Sequence, residues 1–358
     1  MIKAGIVGAT GYAGIELVRL LSQHPSVTLT HLGSQTYDQK PYIDTVSSFR
    51  GKLDDYVCRN APVEELADSC DVLFLALPHG IASRQINEKV LEKTCIIDLG
   101  ADFRLKDVKI YEKWYGIPHS SPHLLPRAVY GLSEFERSSV SKTNLIANPG
   151  CYTTCSILTL APLIRTGFLS GFTDSGGYPP ILIDAKSGVS GAGRKAGTAS
   201  HYCETNESIK AYKIASHRHT PEIEQYLEMN SDEPVRVQFT PHLVPMNRGI
   251  LCTAYIPLGH TGKKTTSLDE LRGLYLETYD NEFFVRILPE GIFPETRWVK
   301  GSNYIDIGIF FDERTNTIIA VGAIDNLVKG AAGQAIQNMN IRFGFEENEG
   351  LRSLPCFP

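Results

Sequence analysis

Cys151 stands where a turn meets a helix, in Asn148-Pro149-Gly150-Cys151-Tyr152-Thr153-Thr154. Pro149 and Gly150 end a strand-like run. From Cys151 to Thr166 the apolar residues Ile157, Leu158, Leu160, Leu163 and Ile164 recur at helical spacing. The first turn of a helix presents unpaired backbone N–H groups and partial positive charge. Both favour a thiolate over a thiol. A thiolate so placed is a nucleophile able to open an activated acyl group and hold it as a thioester. A lone Cys at a helix start is also a common small core residue, so the assignment needs a partner.

Ala215-Ser216-His217-Arg218-His219-Thr220-Pro221-Glu222 supplies one. Thr220 reads as an N-cap and Pro221 as the first helical residue. His217 and His219 then lie in the loop entering a helix. An imidazole near a thiolate can hold it as an ion pair or pass a proton to a carbonyl oxygen. Both could equally be surface or capping histidines. Local sequence does not separate the two, and His217 is favoured. Cys155 follows Cys151 by one helical turn, as a disulfide partner, a metal ligand or a core residue. No Cys-x-x-Cys or His set completes a ligand group, so no metal is expected.

A third feature opens the chain. Gly8-Ala9-Thr10-Gly11-Tyr12-Ala13-Gly14 follows a strand-like run and begins a helix-like one. Its Gly-x-x-Gly-x-x-Gly spacing differs by one residue from the commonest dinucleotide fingerprint, with the same physics. Glycines permit a tight turn and let backbone N–H groups approach a pyrophosphate at a helix N-terminus. A tight structural turn is the alternative. At the end of the second strand, where NAD-binding chains place an acidic residue, the chain has Leu32-Gly33-Ser34-Gln35-Thr36, with Asp38 later and Lys40 beyond. A hydroxyl, an amide and a lysine suit a 2′-phosphate better than a carboxylate does, so NADP(H) is expected over NAD.

These groups need elements to position them. Strand-like Ile2 to Ala9, Val27 to Leu32, Val72 to Leu77, Cys95 to Leu99 and Asn144 to Ala147 alternate with helix-like Tyr12 to His24 and Ile81 to Lys93. That rhythm predicts an α/β fold with an N-terminal Rossmann-type, doubly wound parallel sheet. After about residue 150 the strands lie further apart: Ile181 to Ala185, Val235 to Phe239, Leu251 to Ile256, Tyr304 to Phe311 and Thr317 to Gly322. A second α+β domain on a mixed or antiparallel sheet is expected. The boundaries are 1–148 for the NADP-binding domain and 149–325 for the catalytic, substrate and oligomerisation domain. A C-terminal helix at about 326–342 is expected to pack back on the first.

The 358 residues suffice for two cores, and 42% hydrophobic with 21% charged residues is ordinary for globular chains. A net charge of -5 with mixed signs argues against nucleic acid as a partner. Eight scattered cysteines, no leader-like N-terminus and no apolar run of about 18 residues point to a soluble, cytoplasmic protein without a membrane partner.

Together the motifs resemble those of the N-acetyl-gamma-glutamyl-phosphate reductases, relatives of the aspartate-semialdehyde dehydrogenases. Beyond the three stretches above, the resemblance rests on Leu75-Ala76-Leu77-Pro78-His79-Gly80 and Asp98-Leu99-Gly100-Ala101-Asp102-Phe103-Arg104. It continues through Ser187-Gly188-Val189-Ser190-Gly191-Ala192-Gly193-Arg194, His242 to Gly249, and Asp325 to Gln334. It covers nearly the whole chain. It implies NADPH-dependent reduction of an acyl phosphate to an aldehyde plus phosphate, as in arginine biosynthesis. Cys151 would be the nucleophile, with His217 and His219 as acid/base and substrate contacts. Gly8, Thr10, Gly11, Tyr12, Ala13, Gly14, Ser34 and Pro78 would meet the nucleotide. Ser187, Gly188, Ser190, Gly191 and Asn326 would line its nicotinamide side. Arg104, Asn148, Arg194 and Arg248 would face substrate, the phosphoryl group falling to Arg104 and the carboxylate to Arg248 by charge, with a structural salt bridge as the alternative for either arginine. Family members often carry an arginine beside Ser34, where this chain has Gln35. The resemblance also implies a homodimer or homotetramer. Rival readings are a reductase of aspartyl or carrier-bound aminoadipyl phosphate, an NADP-sensing protein without catalysis, and a glyceraldehyde-3-phosphate-type dehydrogenase.

Overall fold

A computed structural model describes residues 1–169, 179–231, 233–258 and 266–357. The chain divides into two compact units. One holds Met1–Gly150 and Ala331–Ser353, and the other Cys151–Gly330 with the segment from Leu354.

The first unit is built on strands β1 (Ile2–Val7), β2 (Val27–Gly33), β3 (Val72–Leu75), β4 (Cys95–Asp98), β5 (Val129–Tyr130) and β6 (Leu145–Ala147). Their order is β2-β1-β3-β4-β6-β5, and every pairing is parallel. β3 and β4 are buried along their whole length, which is why they read as unbroken apolar runs and not as alternating ones. The expected doubly wound parallel sheet is present.

Two local readings change. Ile81 to Lys93 is two short helices, Ala82–Gln85 and Glu88–Lys93. Ile86 is extended between them, and the Asn87 side chain accepts the Val90 N–H at 3.0 Å, capping the second. The C-terminal helix begins with a π-turn, Val328–Ala332, and continues as Gly333–Phe343. Gly344 ends it at φ +72°.

That helix buries an unusual polar face of Gln334, Gln337, Asn338 and Asn340. Each unpaired buried amide would cost about 1–3 kcal/mol. Partners are supplied: the Asn338 amide donates to the Gly131 carbonyl at 2.7 Å, and the Gln337 amide to Glu134 at 3.1 Å. Gly131 has no room for a side chain, because a Cβ would lie 2.5 Å from the Asn338 amide nitrogen.

The second unit carries β7 (Ile181–Ser187), β8 (Lys210–Ala211), β9 (Val237–Leu243), β10 (Ile250–Pro257), β11 (Val285–Ile287), β12 (Ile305–Asp312) and β13 (Thr317–Ile324). They form a mixed sheet in the order β11-β12-β13-β10-β7-β9-β8. The sequence-based strand at Val235 to Phe239 is displaced: β9 starts at Val237 and runs on through Pro241, which a local reading takes as a stop.

Helix Cys151–Arg165 lies on β10 and β13 and is buried from Tyr152 to Ile164. Gly322 lets it close on the sheet, since a Cβ there would meet the Thr159 hydroxyl at 2.1 Å. Pro162 lacks the N–H that would bond the Leu158 carbonyl four residues back. The Tyr279 hydroxyl donates to that carbonyl instead, at 2.5 Å. Among the described residues, no helix is long and apolar enough to cross a membrane.

Candidate active site

The glycine turn in the first unit is shaped by two impossible side chains. A Cβ on Gly14 would sit 2.1 Å from the Gly8 carbonyl oxygen, and Gly8 itself has φ +91° with the Ala76 carbonyl 2.4 Å from its Cβ position. Gly11 differs, for its nearest neighbour would be 3.6 Å away. The protein leaves room for a side chain at Gly11, so its own packing does not demand glycine there. Gly11 precedes helix Tyr12–Leu21 with no side-chain cap, and the helix has no acidic residue in its first turn. Its N–H groups are thus suited to a pyrophosphate. The residues fit a dinucleotide. Ser34 sits beside this turn, its hydroxyl 2.9 Å from that of Thr10. The segment containing Pro78 follows Ala76, whose N–H donates to the Val7 carbonyl at 2.9 Å.

Arg104 and Asn148 also lie in the first unit, and both are buried. The Arg104 guanidinium donates to the Leu99 carbonyl at 2.8 Å and stands near Asp98. Burial, then the neighbouring Asp102 carboxylate, pushes the Asp98 carboxyl up to about 7. The Asn148 amide donates to the Ala331 carbonyl at 3.1 Å and accepts from Asn338 at 3.2 Å. Both residues thus support the interior of this unit.

In the second unit Cys151 is half-buried at the first position of its helix. Gly330 packs directly behind it: a Cβ on Gly330 would be 2.7 Å from the Cys151 Cβ. The neighbouring Tyr152 ring gathers the two histidines, with centroids 5.6 Å from His217 and 6.0 Å from His219. Tyr212 and Phe239 complete an aromatic box around His217, at 5.6 and 5.3 Å. The Tyr212 hydroxyl donates to that of Tyr152 at 3.3 Å, and the Tyr152 hydroxyl donates to the His242 carbonyl at 3.1 Å. Burial pushes the Tyr212 hydroxyl up to about 12 and raises Tyr152 further. Charge on Cys151 raises both as well. Buried Glu222 accepts the Thr153 hydroxyl at 2.8 Å, tying helix Thr220–Glu228 to the Cys151 helix.

The box keeps His217 neutral. Burial first, then the His219, Lys213 and Arg218 charges, lowers its imidazolium from 6.5 to about 2. Its Nδ1 accepts the His219 backbone N–H at 3.2 Å. The neutral ring therefore carries its proton on Nε2, as a hydrogen-bond donor. The sign of a pH effect follows. Below about 6.5 the unfolded chain protonates His217 and the folded chain does not. Its neutrality therefore costs stability as pH falls through that range. Relative to His217→Phe, the wild-type melting temperature is expected to drop between pH 7 and 5. Scanning fluorimetry checks this, and a constant gap would refute a desolvated imidazole.

The expected nicotinamide-side residues converge here too. The Asn326 amide donates to the Ser190 hydroxyl at 2.9 Å, and its carbonyl accepts the Gly249 N–H at 2.8 Å. Gly188 lies against Asn247 and Arg248, with 2.8 Å between its Cβ position and the Asn247 carbonyl oxygen. Ser187 and Gly191 meet beside this contact, 3.0 Å from hydroxyl to Cβ position. Arg194 is exposed on the following loop. Tyr152, Tyr212, Glu222 and Asp325 carry no role on sequence alone. Two had a signal, Tyr152 beside the thiol and Glu222 in the histidine stretch. Tyr212 and Asp325 are brought in by pairings distant in sequence.

Residues 3–143 match the model of the semialdehyde dehydrogenase NAD binding domain, and residues 151–326 that of the semialdehyde dehydrogenase dimerisation domain. The chain is 53% identical to the N-acetyl-gamma-glutamyl-phosphate reductase of Lachnoclostridium phytofermentans and 52% to that of Lachnospira eligens, each over the full length of both chains. A Campylobacter jejuni reductase of the same name is 50% identical over 98% of each. Among solved structures, aspartate semialdehyde dehydrogenase II from Vibrio cholerae, complexed with ASA, superposes with a TM-score of 0.68. It covers 96% of this chain and 98% of its own at 18% identity. Aspartate semialdehyde dehydrogenase with NADP from Candida albicans gives 0.66, covering 95% and 98% at 18% identity. At such identity these two share the fold alone.

Proposed function

Since the chain belongs to the N-acetyl-gamma-glutamyl-phosphate reductase family of semialdehyde dehydrogenases, we propose that it reduces N-acetyl-glutamyl 5-phosphate to N-acetyl-glutamate 5-semialdehyde and phosphate, a step of arginine biosynthesis. The observation that carries the chemistry is the half-buried thiol at a helix start, followed by Tyr152, whose ring packs on a buried, neutral imidazole.

Cys151 Sγ attacks the acyl carbon. A C–S bond forms, the bond to the phosphate oxygen breaks, and phosphate leaves a thioester. The helix N-terminus stabilises sulfur as an anion before attack and after its release. His217 Nε2–H donates to the carbonyl oxygen as that atom gains charge, and needs no proton of its own to lose. A bound nicotinamide supplies the hydride that reduces the thioester. Collapse of the resulting thiohemiacetal breaks the C–S bond, frees the aldehyde and returns the thiolate. His219, at the mouth of the same loop, contacts the substrate. Arg248 takes its carboxylate, with Arg194 reaching it from the exposed loop. Arg104 and Asn148 serve through the framework they hold.

The cofactor is a nicotinamide dinucleotide, and the finer reading is NADP(H). Ser34 at the end of β2, with no carboxylate beside it, supports the 2′-phosphate form. The assembly is a homodimer or homotetramer. One sheet face supports it, with Leu182, Tyr255, Ile319 and Phe310 side by side across four strands and Leu182 and Tyr255 exposed. Eight free thiols suit the cytoplasm.

The test is the reverse reaction, followed at the nicotinamide absorbance. N-acetyl-glutamate 5-semialdehyde and phosphate should drive reduction of NADP faster than of NAD, and omission of phosphate should stop it. Turnover of aspartate semialdehyde in preference would overturn the substrate assignment.

A further inference from the structure

Asp325 is fully buried at the end of β13, and its two oxygens serve different neighbours. Oδ1 accepts the N–H groups of Leu327 at 2.8 Å and Val328 at 3.2 Å, opening the turn that follows. Its backbone carbonyl accepts the Gly330 N–H at 3.0 Å and closes that turn. Gly330 is the residue packed against the back of Cys151. Oδ2 accepts the Gly301 N–H at 2.7 Å and faces Arg248 Nη1 at 3.4 Å. The next residue, Asn326, fixes the Gly249 N–H. One residue thus holds the wall behind the nucleophile through its backbone carbonyl and the turn its Oδ1 opens, and meets the guanidinium assigned to substrate through Oδ2.

We propose that Asp325 is a positioning residue of this site, which orients Arg248 toward the substrate carboxylate and holds Gly330 behind Cys151. It touches neither substrate nor cofactor. The proposal rests on the reading of Arg248 given above. An ordinary helix cap would need only Oδ1. Oδ2 has the separate task of directing a partly exposed arginine, whose side chain is 28% accessible. A fixed guanidinium loses less freedom on meeting a carboxylate than a mobile one does.

Asp325→Asn tests this, because it keeps an acceptor for Leu327 and Val328 but turns N–H donors toward Gly301 and Arg248. The KM for N-acetyl-glutamate 5-semialdehyde should rise about tenfold or more, while the KM for NADP stays within about twofold. Arg248→Ala should raise the same KM, and the double variant should match Arg248→Ala alone. A lower melting temperature with both KM values unchanged would overturn the proposal, as would multiplicative effects in the double variant. Should Asp325→Asn not fold, Asp325→Ser retains a capping hydroxyl without the reach to Arg248, and the same readings apply. Wild-type turnover of the semialdehyde separates failure of the reaction assignment from failure of the positioning role. Where wild type is inactive, alkylation of Cys151 by iodoacetamide in the presence of N-acetyl-glutamate decides, since a misdirected Arg248 should weaken the ligand's protection and raise that rate about threefold or more in Asp325→Asn. An unchanged rate sinks the idea.

Discussion

Cys151→Ser is expected to lower turnover by about 10³-fold or more while leaving the fold and NADPH affinity intact. Serine fits the space in front of Gly330, so no packing is lost. What disappears is the ionisable atom. The N-terminal dipole of a helix contributes on the order of 1 kcal/mol, enough to shift a thiol and far too little to ionise an alcohol. Steady-state rates with circular dichroism and NADPH fluorescence titration check this. Near-wild-type turnover would end the covalent mechanism. Alkylation offers a second reading of the same sulfur. Cys58, Cys70, Cys95, Cys155 and Cys252 are buried, so only exposed Cys203 and Cys356 compete with Cys151. Substrate should protect Cys151 and leave those two unaffected.

His217→Phe is expected to cost about 10²–10³-fold in kcat, the usual effect of removing one donor to a developing oxyanion. Phenylalanine keeps a ring among Tyr152, Tyr212 and Phe239, so the box stays filled. The His219 N–H loses its acceptor, a small effect for a partly exposed group. A neutral donor titrating near 2 has a further consequence: the acid limb of the kcat profile above pH 5 should not belong to His217. A variant with unaltered kcat would transfer the role to His219.

Much of this was legible before any coordinates, for local reasons. β3 and β4 are continuous apolar runs, and helix Tyr12–Leu21 after β1 buries Leu17, Val18, Leu20 and Leu21. Cys151, the histidine loop and the glycine turn each stand at the end of such an element, so their positions followed from the pattern. The family, and the fold class with its parallel and mixed sheets, came from the same signals. The rest depended on contacts far apart in sequence. β5 and β8 have two residues each, and β11 three, too few for any period to show. Tyr212 enters the site because β8 pairs with β9, Ala211 opposite His242. The break at Ile86 was hidden by apolar spacing that runs on through it, although Asn87 carried a capping signal. Asp325 had no role on sequence alone, since Gly301 and Arg248 reach it from segments distant in the chain.

The first unit is made of two stretches, Met1–Gly150 and Ala331–Ser353, and this shapes how the chain can be born. A ribosome delivers the glycine turn and six parallel strands early, then a whole second unit, before the helix whose amides cap Gly131 and Glu134 emerges. At about 5–20 residues per second, the early sheet waits on the order of ten seconds or more without its last layer. The second unit takes from beyond residue 330 only the short segment from Leu354, where the Cys356 N–H donates to the Lys300 carbonyl at 2.8 Å, so vectorial synthesis favours completion from the middle outward. A stalled nascent chain released at residue 330 should therefore protect the second unit from protease and leave the first open to cleavage.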